Sequence, residues 1–227
     1  MAEVLEKLKN THIYSIYEQI DKAYHHIQMS QTEWYTKSQI ICPEGCGECC
    51  RNFEPDLLES EAIYLAVWLL ENQKETAEKV LQGEFPFEQN NGCPFWDETS
   101  PYHCTVYGGR AFICRLFGAS GFRSKTGETV WKPCKFYPSE KLAQLPVPFS
   151  HRQYNTTELL QKVKSVPPVM SDIMQQALEI SPEQTETTLL RQILPKTLRN
   201  INWLLQLKQQ ESTNHNDDDN DSNPLAS

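Results

Sequence analysis

Between residues 3 and 28 the apolar side chains Val4, Leu5, Leu8, Ile13, Ile16, Tyr17, Ile20, Tyr24 and Ile27 recur mostly at steps of three and four, with no glycine or proline among them. That spacing predicts one long amphipathic helix whose apolar stripe packs against the rest of the fold. Leu57 to Leu70 form a second, strongly apolar helical stretch, with Asp56 placed as N-cap and Glu59 at the third helical position. Glu75 to Leu81 follow as a short helix ending near Gly83, a residue suited to the left-handed position after a helix. Towards the C-terminus, Asn155 and Glu158 read as another capping pair, and that helix stops before Pro167-Pro168. A helix from Val169 to about Ile180 comes next. Ser181-Pro182-Glu183-Gln184 has the residue order of a helix start, and Pro195 should end or kink that next helix. Leu198, Ile201, Leu204 and Leu205 carry a last amphipathic segment.

Two stretches break this helical periodicity. Residues 41–55 hold Cys42-Pro43-Glu44-Gly45-Cys46-Gly47-Glu48-Cys49-Cys50, which reads as a tight loop. Residues 84–140 contain Pro86, Pro94, Pro101, Pro133 and Pro138, with room for one short hairpin across Gly121–Trp131 turning near Thr126-Gly127. So long a stretch without regular structure is uncommon in a compact domain unless something else orders it. The expected fold is therefore mainly α: helices flanking an irregular, loop-rich cysteine and metal core with at most a short β-hairpin. The expected organisation is an N-terminal helix over 1–40, a cysteine domain over 41–141, C-terminal helices over 142–210, and a disordered acidic tail over 211–227.

Charge adds exclusions. The chain of 227 residues has a formal net charge of −9, and over half of it comes from Glu211, Asp217, Asp218, Asp219 and Asp221 in the tail. No basic stripe is present, which argues against nucleic-acid binding, and the acidic balance argues against an anionic membrane surface. The longest apolar run, Ala62 to Leu70, is too short to span a bilayer. The first residues, with Glu3, Glu6, Lys7 and Lys9, show no apolar signal core, so the expected compartment is the cytoplasm. Any partner or substrate is then expected to be a protein, of a kind the sequence does not specify.

All eight cysteines lie between Cys42 and Cys134. In a reducing compartment such clustering points to metal ligands rather than disulfides. Cys46 and Cys49 form a C-x2-C turn, which brings two thiolates to one metal without strain. The adjacent pair Cys49-Cys50 is harder to seat on one small ion, and hints at two neighbouring sites or a polynuclear centre. Soft thiolates select zinc, Cu(I) or iron–sulfur. The candidate ligands are Cys42, Cys46, Cys49, Cys50, Cys93, Cys104, Cys114 and Cys134, and the candidate cofactors are an iron–sulfur cluster, [4Fe-4S] foremost, or zinc. Arg51, Arg115 and Lys135 each follow a cysteine and could balance thiolate charge. Cys42, Cys46 and Cys49 also match the C-x3-C-x2-C spacing of radical enzymes, but Glu48 stands where those carry an aromatic residue.

Cys46-Gly47-Glu48-Cys49-Cys50, then Cys93-Pro94-Phe95, Cys104-Thr105-Val106-Tyr107, and Arg110 leading to Cys114-Arg115 closely resemble the YkgJ-like cysteine-cluster family, the CxxCxxCC zinc- or iron-chelating domain, which includes flagellin lysine methylases. The resemblance covers roughly residues 42–138. It implies metal or iron–sulfur binding by the eight cysteines and leaves the reaction open. Two departures stand out: three residues separate Cys42 from Cys46 where the family has two, and Arg110-Ala111 replaces the usual Arg-Pro.

Phe95, Trp96, Phe117, Phe122, Trp131 and Phe136 are expected to shield the metal-centred core. His103 is a minor ligand candidate, and His25 and His26 read as surface or helix-packing residues. No dinucleotide, phosphate-loop, HExxH or GxSxG motif is present, and neither is a glycine loop for S-adenosylmethionine in the N-terminal part.

Overall fold

The computed structural model describes residues 3–42, 46–87 and 92–218, with side chains described as far as residue 210. The fold is mainly α, as the periodicity predicts, with small antiparallel sheets of two and three strands. The first expected helix is in fact two. Helix α1 (Glu3–Leu8) stops where Asn10 takes a left-handed conformation at φ 64°, and α2 (His12–Ser38) restarts there. Thr11 caps α2 by accepting a hydrogen bond from the Tyr14 N–H at 3.2 Å. This polar cap interrupts an apolar stripe that is otherwise continuous, so periodicity alone does not reveal it. Helix α2 also runs ten residues beyond the expected end. Ile16, Ile20, Tyr24, Ile27, Gln31, Trp34 and Ser38 keep its buried stripe going.

The start of the second apolar helix moves by two residues. Asp56 and Leu57 form strand β1 rather than a cap, and α3 spans Glu59–Asn72. Its N-terminal carboxylate is Glu61, whose Oε2 accepts from the Leu58 N–H at 2.9 Å. Nearly every α3 side chain from Ser60 to Leu69 is buried. Such all-round burial marks a central helix: α1, α2 and the C-terminal helix α9 (Leu190–Asp218) pack on it, and α4 (Lys74–Leu81) follows it directly.

The expected hairpin is present as β2 (Phe122–Arg123) and β3 (Thr129–Trp131), with Gly127 at φ 80° in the turn. A third strand, β4 (Tyr154–Asn155), joins it antiparallel, with Trp131 opposite Tyr154. Short helices α5 (Phe112–Leu116) and α6 (Ser139–Ala143) lie on either side of the hairpin in the chain. Helix α7 (Thr156–Val163) carries the expected Asn155 and Glu158 capping box, and α8 spans Met170–Ile180.

Ser181-Pro182-Glu183-Gln184 does not begin a helix. It forms a turn in which the Gln184 N–H donates to the Ser181 carbonyl at 3.0 Å. The chain then enters β5 (Thr188–Leu189), which pairs antiparallel with β1, and α9 starts only at Leu190. The local capping signal lost to this long-range pairing, which Glu54 strengthens by accepting from the Arg191 N–H at 2.8 Å. Helix α9 continues past Pro195, its sixth residue, giving up the one backbone donor that proline lacks. The tail expected to be disordered from residue 211 is helical as far as Asp218, and residues 219–227 lie outside the described residues.

Three apolar cores result. The first joins α1, α3, α4 and α9 and includes Cys93, Phe95, Val106 and Ala111. The second lies between α2, α3, α5 and α8, around Tyr24, Tyr64 and Phe112. The third packs Trp34 and Ile40 against Trp131, Leu142, Phe149, Tyr154, Leu159 and Val163. Within it Trp34 and Trp131 meet edge to face at 5.1 Å.

Candidate metal centre

The eight cysteines converge from segments that are far apart in sequence. Cys42 follows the end of α2, and Cys46, Cys49 and Cys50 lie on the loop before β1. Cys93 and Cys104 come from the irregular stretch after α4, Cys114 from α5, and Cys134 from the loop after β3. All eight are free thiols. They line two adjoining cavities. The smaller, about 250 Å³, is lined by Cys42, Cys46, Cys49, Cys50, Cys93, Cys104 and Cys114. The larger, about 520 Å³, is lined by Cys42, Cys46, Cys49 and Cys134. The Cys49 and Cys50 sulfurs are 3.7 Å apart. In this turn the adjacent side chains do not diverge as they would in extended backbone.

The local backbone is built for close approach. A Cβ at Gly47 would fall 2.3 Å from the Cβ of His103, so only glycine lets the Cys46–Cys50 loop reach the 103–104 segment. His103 takes φ 49°, its Nδ1 lies 3.1 Å from the Asp97 carbonyl, and its ring stacks on Trp96 at 5.8 Å. It lines the smaller cavity as a wall. His25 and His26 are exposed on α2, and neither lines a cysteine cavity.

Burial and neighbouring thiols hold five of these thiols, Cys42, Cys49, Cys93, Cys104 and Cys114, in the neutral form. Burial pushes the Cys93 thiol up to about 12 and raises Cys104. Burial, then Cys93 and Cys104, raises Cys114 well above the ordinary range. Cys42 rises to about 12 through burial first and then Cys46, Cys49 and Cys134. Cys49 is raised chiefly by its contact with Cys50. A bound cation reverses this, because it displaces the protons and neutralises the mutual repulsion.

Of the cations that chain adjacency picks out, Arg115 and Lys135 line the cysteine cavities and Arg51 does not. Arg51 turns away to Glu48 and Glu98, at 3.8 and 3.5 Å. Arg115 lies over the Tyr24 ring at 3.7 Å and donates to the Arg110 and Gly108 carbonyls, and it lines the smaller cavity. Arg110 is partly buried and lines the smaller cavity as well. Burial lowers its pKa, Cys104 and Cys114 act back on it, and its guanidinium lies 3.5 Å above the Tyr107 ring. Among the described residues its buried Nε has no hydrogen-bond partner. Lys132 and Lys135 line the larger cavity.

The shield matches expectation in part. Phe95, Trp96 and Phe117 line the smaller cavity, and Phe117 and Phe136 the larger. Trp131 is buried in the third core instead, and Phe122 is half exposed; neither lines a cysteine cavity. Sequence reading missed Phe53, which lines both cavities and meets Phe117 edge to face at 5.2 Å, and Tyr35 at the end of α2. It also missed Glu61. This carboxylate is 2% exposed, and its Oε1 accepts from the Phe112 N–H at 2.7 Å, fixing the start of the helix that carries Cys114.

The donor chemistry fits a soft metal. Eight thiols suffice for two four-sulfur sites, which is the full complement of zinc or of an iron–sulfur cluster. Among the described residues, no three His, Cys, Asp or Glu side chains are yet gathered tightly enough to grip one ion. Residues 41–143 match the CxxCxxCC family model, described as "Putative zinc- or iron-chelating domain". This segment is similar to that chelating domain. Every cysteine of the chain falls within it. No curated protein and no solved structure matches the chain. Among the described residues, no helix is long and apolar enough to cross a membrane.

Proposed function

We propose that the CxxCxxCC domain binds metal through Cys42, Cys46, Cys49, Cys50, Cys93, Cys104, Cys114 and Cys134, holding iron–sulfur of the [4Fe-4S] type in a redox or protein-modifying role in the cytoplasm. The observation that carries this reading is the convergence of eight free thiols from distant segments on two adjoining cavities walled by Arg110, Arg115, Lys132 and Lys135. When bound, the cluster would supply electron transfer. The protein would supply the rest. The thiols release protons and ligate, Arg110 and Arg115 offset thiolate charge, and Phe53, Phe117, Phe95 and Trp96 limit water and so tune the centre. The larger cavity, bordered by Tyr35, Phe136 and Tyr137, is where a protein substrate would approach.

A second reading, zinc as a structural staple on a protein-interaction module, draws support from the irregular backbone of the cysteine segments, which metal bonds would order. Anaerobic purification followed by iron, acid-labile sulfide and zinc analysis separates the two. Brown protein with iron and sulfide is expected. Colourless protein with stoichiometric zinc would overturn the redox reading. Cys49→Ser or Cys114→Ser variants that keep full metal content would refute those two residues as ligands.

A further inference from the structure

We infer that the eight thiols form two separate four-sulfur sites, an inner one of Cys50, Cys93, Cys104 and Cys114 and an outer one of Cys42, Cys46, Cys49 and Cys134. This partition rests on the metal reading above. Cys93, Cys104, Cys114 and Cys50 line only the smaller cavity, and Cys134 lines only the larger. The Phe53–Phe117 pair, whose rings meet at 5.2 Å, borders both cavities. Sulfurs on one tetrahedral ion lie within roughly 4 Å of each other, given metal–sulfur bonds of about 2.3 Å. Cys42, Cys46 and Cys49 line both cavities, so the four sulfurs confined to the smaller one make the inner centre, and these three join Cys134 in the outer. Cys49 and Cys50 stand at the junction, their sulfurs 3.7 Å apart, and give one thiolate to each side.

The sites join different parts of the fold. Three of the inner sulfurs belong to the first core, of which Cys93 is a buried member and against which Cys104 and Cys114 pack. The outer sulfurs follow Ile40 and Trp131, two residues of the third core. The inner site includes the buried Cys93, while Cys42 of the outer site is exposed and the outer site borders the 520 Å³ cavity. The inner centre is thus the slowly exchanging staple, and the outer centre is the one that solutes reach.

The test uses the full chain loaded with zinc alone, with metal counted by mass spectrometry and its release to a chromogenic chelator followed in time. The expected result is two zinc ions per chain released in two phases. Cys134→Ser should remove one ion and the fast phase, and Cys104→Ser should remove the other ion and the slow phase. Near-UV circular dichroism of Cys134→Ser should change in the Trp34–Trp131 signal while the helical far-UV signal holds. One ion per chain, or loss of both ions from Cys134→Ser alone, overturns the partition and leaves metal binding standing. A chain that takes up neither zinc nor iron overturns both. Should Cys104→Ser fail to fold, the wild-type count and Cys134→Ser still decide the question.

Discussion

Replacing Glu61 with glutamine gives the sharpest test of how the helices set the site. Glu61 is 2% exposed, and its two oxygens accept from the Leu58 and Phe112 N–H groups, at 2.9 and 2.7 Å. Burial lifts its pKa from 4.5 to about 7, against the lowering effect of those two bonds and of Arg115. Because the folded value lies above the unfolded one, the stabilising contribution of the neutral form is complete below about pH 4.5 and is lost as pH rises through about 7. A tenfold difference in proton affinity is worth about 1.4 kcal/mol, so the loss across that window is on the order of 3 kcal/mol. Glu61→Gln cannot ionise, so it lacks this slope. It also turns an amide N–H toward one of the two backbone donors, which costs about 1–3 kcal/mol at every pH. The variant should therefore be clearly less stable than wild type at pH 5 and nearly equal to it or more stable at pH 8. Chemical denaturation of both proteins in parallel, under the same metal loading, cancels the shared pH dependence of metal binding. Parallel stability curves for the two proteins from pH 5 to 8 would refute the argument.

Other outcomes rest on the same geometry. Metal loading near neutral pH should release on the order of one proton per thiolate ligand, because burial and neighbouring thiols keep the free groups protonated; calorimetry in buffers of different ionisation enthalpy measures this, and buffer-independent heats would contradict it. Chelation should raise hydrogen exchange across 41–143 before it does so in α2 and α9; uniform exchange with and without metal would mean the metal is not structural. Gly47→Ala should cost about 1–3 kcal/mol and weaken metal retention, since its Cβ would meet the His103 Cβ at 2.3 Å; unchanged melting and metal content would show that the two loops move apart freely. Trp131→Ala should cost about 3–5 kcal/mol by emptying the third core, with little effect on the Tyr24–Phe112 packing of the second; a thermal melt and near-UV circular dichroism check both halves.

Fold class, the cysteine inventory and the helices with local signals are legible in the chain alone. Asn155 and Glu158 cap α7 as their spacing requires, and Gly127 turns the β2–β3 hairpin, because each device acts within a few residues. Where a local signal competed with pairing at a distance, the distant contact won. Ser181-Pro182 gave way to the β1–β5 pairing, and the expected Asp56 cap became part of β1 while Glu61 reached Leu58 and Phe112 instead. The same limit governed the site. Spacing shows that eight thiols can ligate metal, but sulfurs more than forty residues apart meet only after α3, α5 and α9 pack. Long-range packing therefore settles which cysteines face which cavity, that Arg110 rather than Arg51 stands beside them, and that Glu61 anchors the helix bearing Cys114.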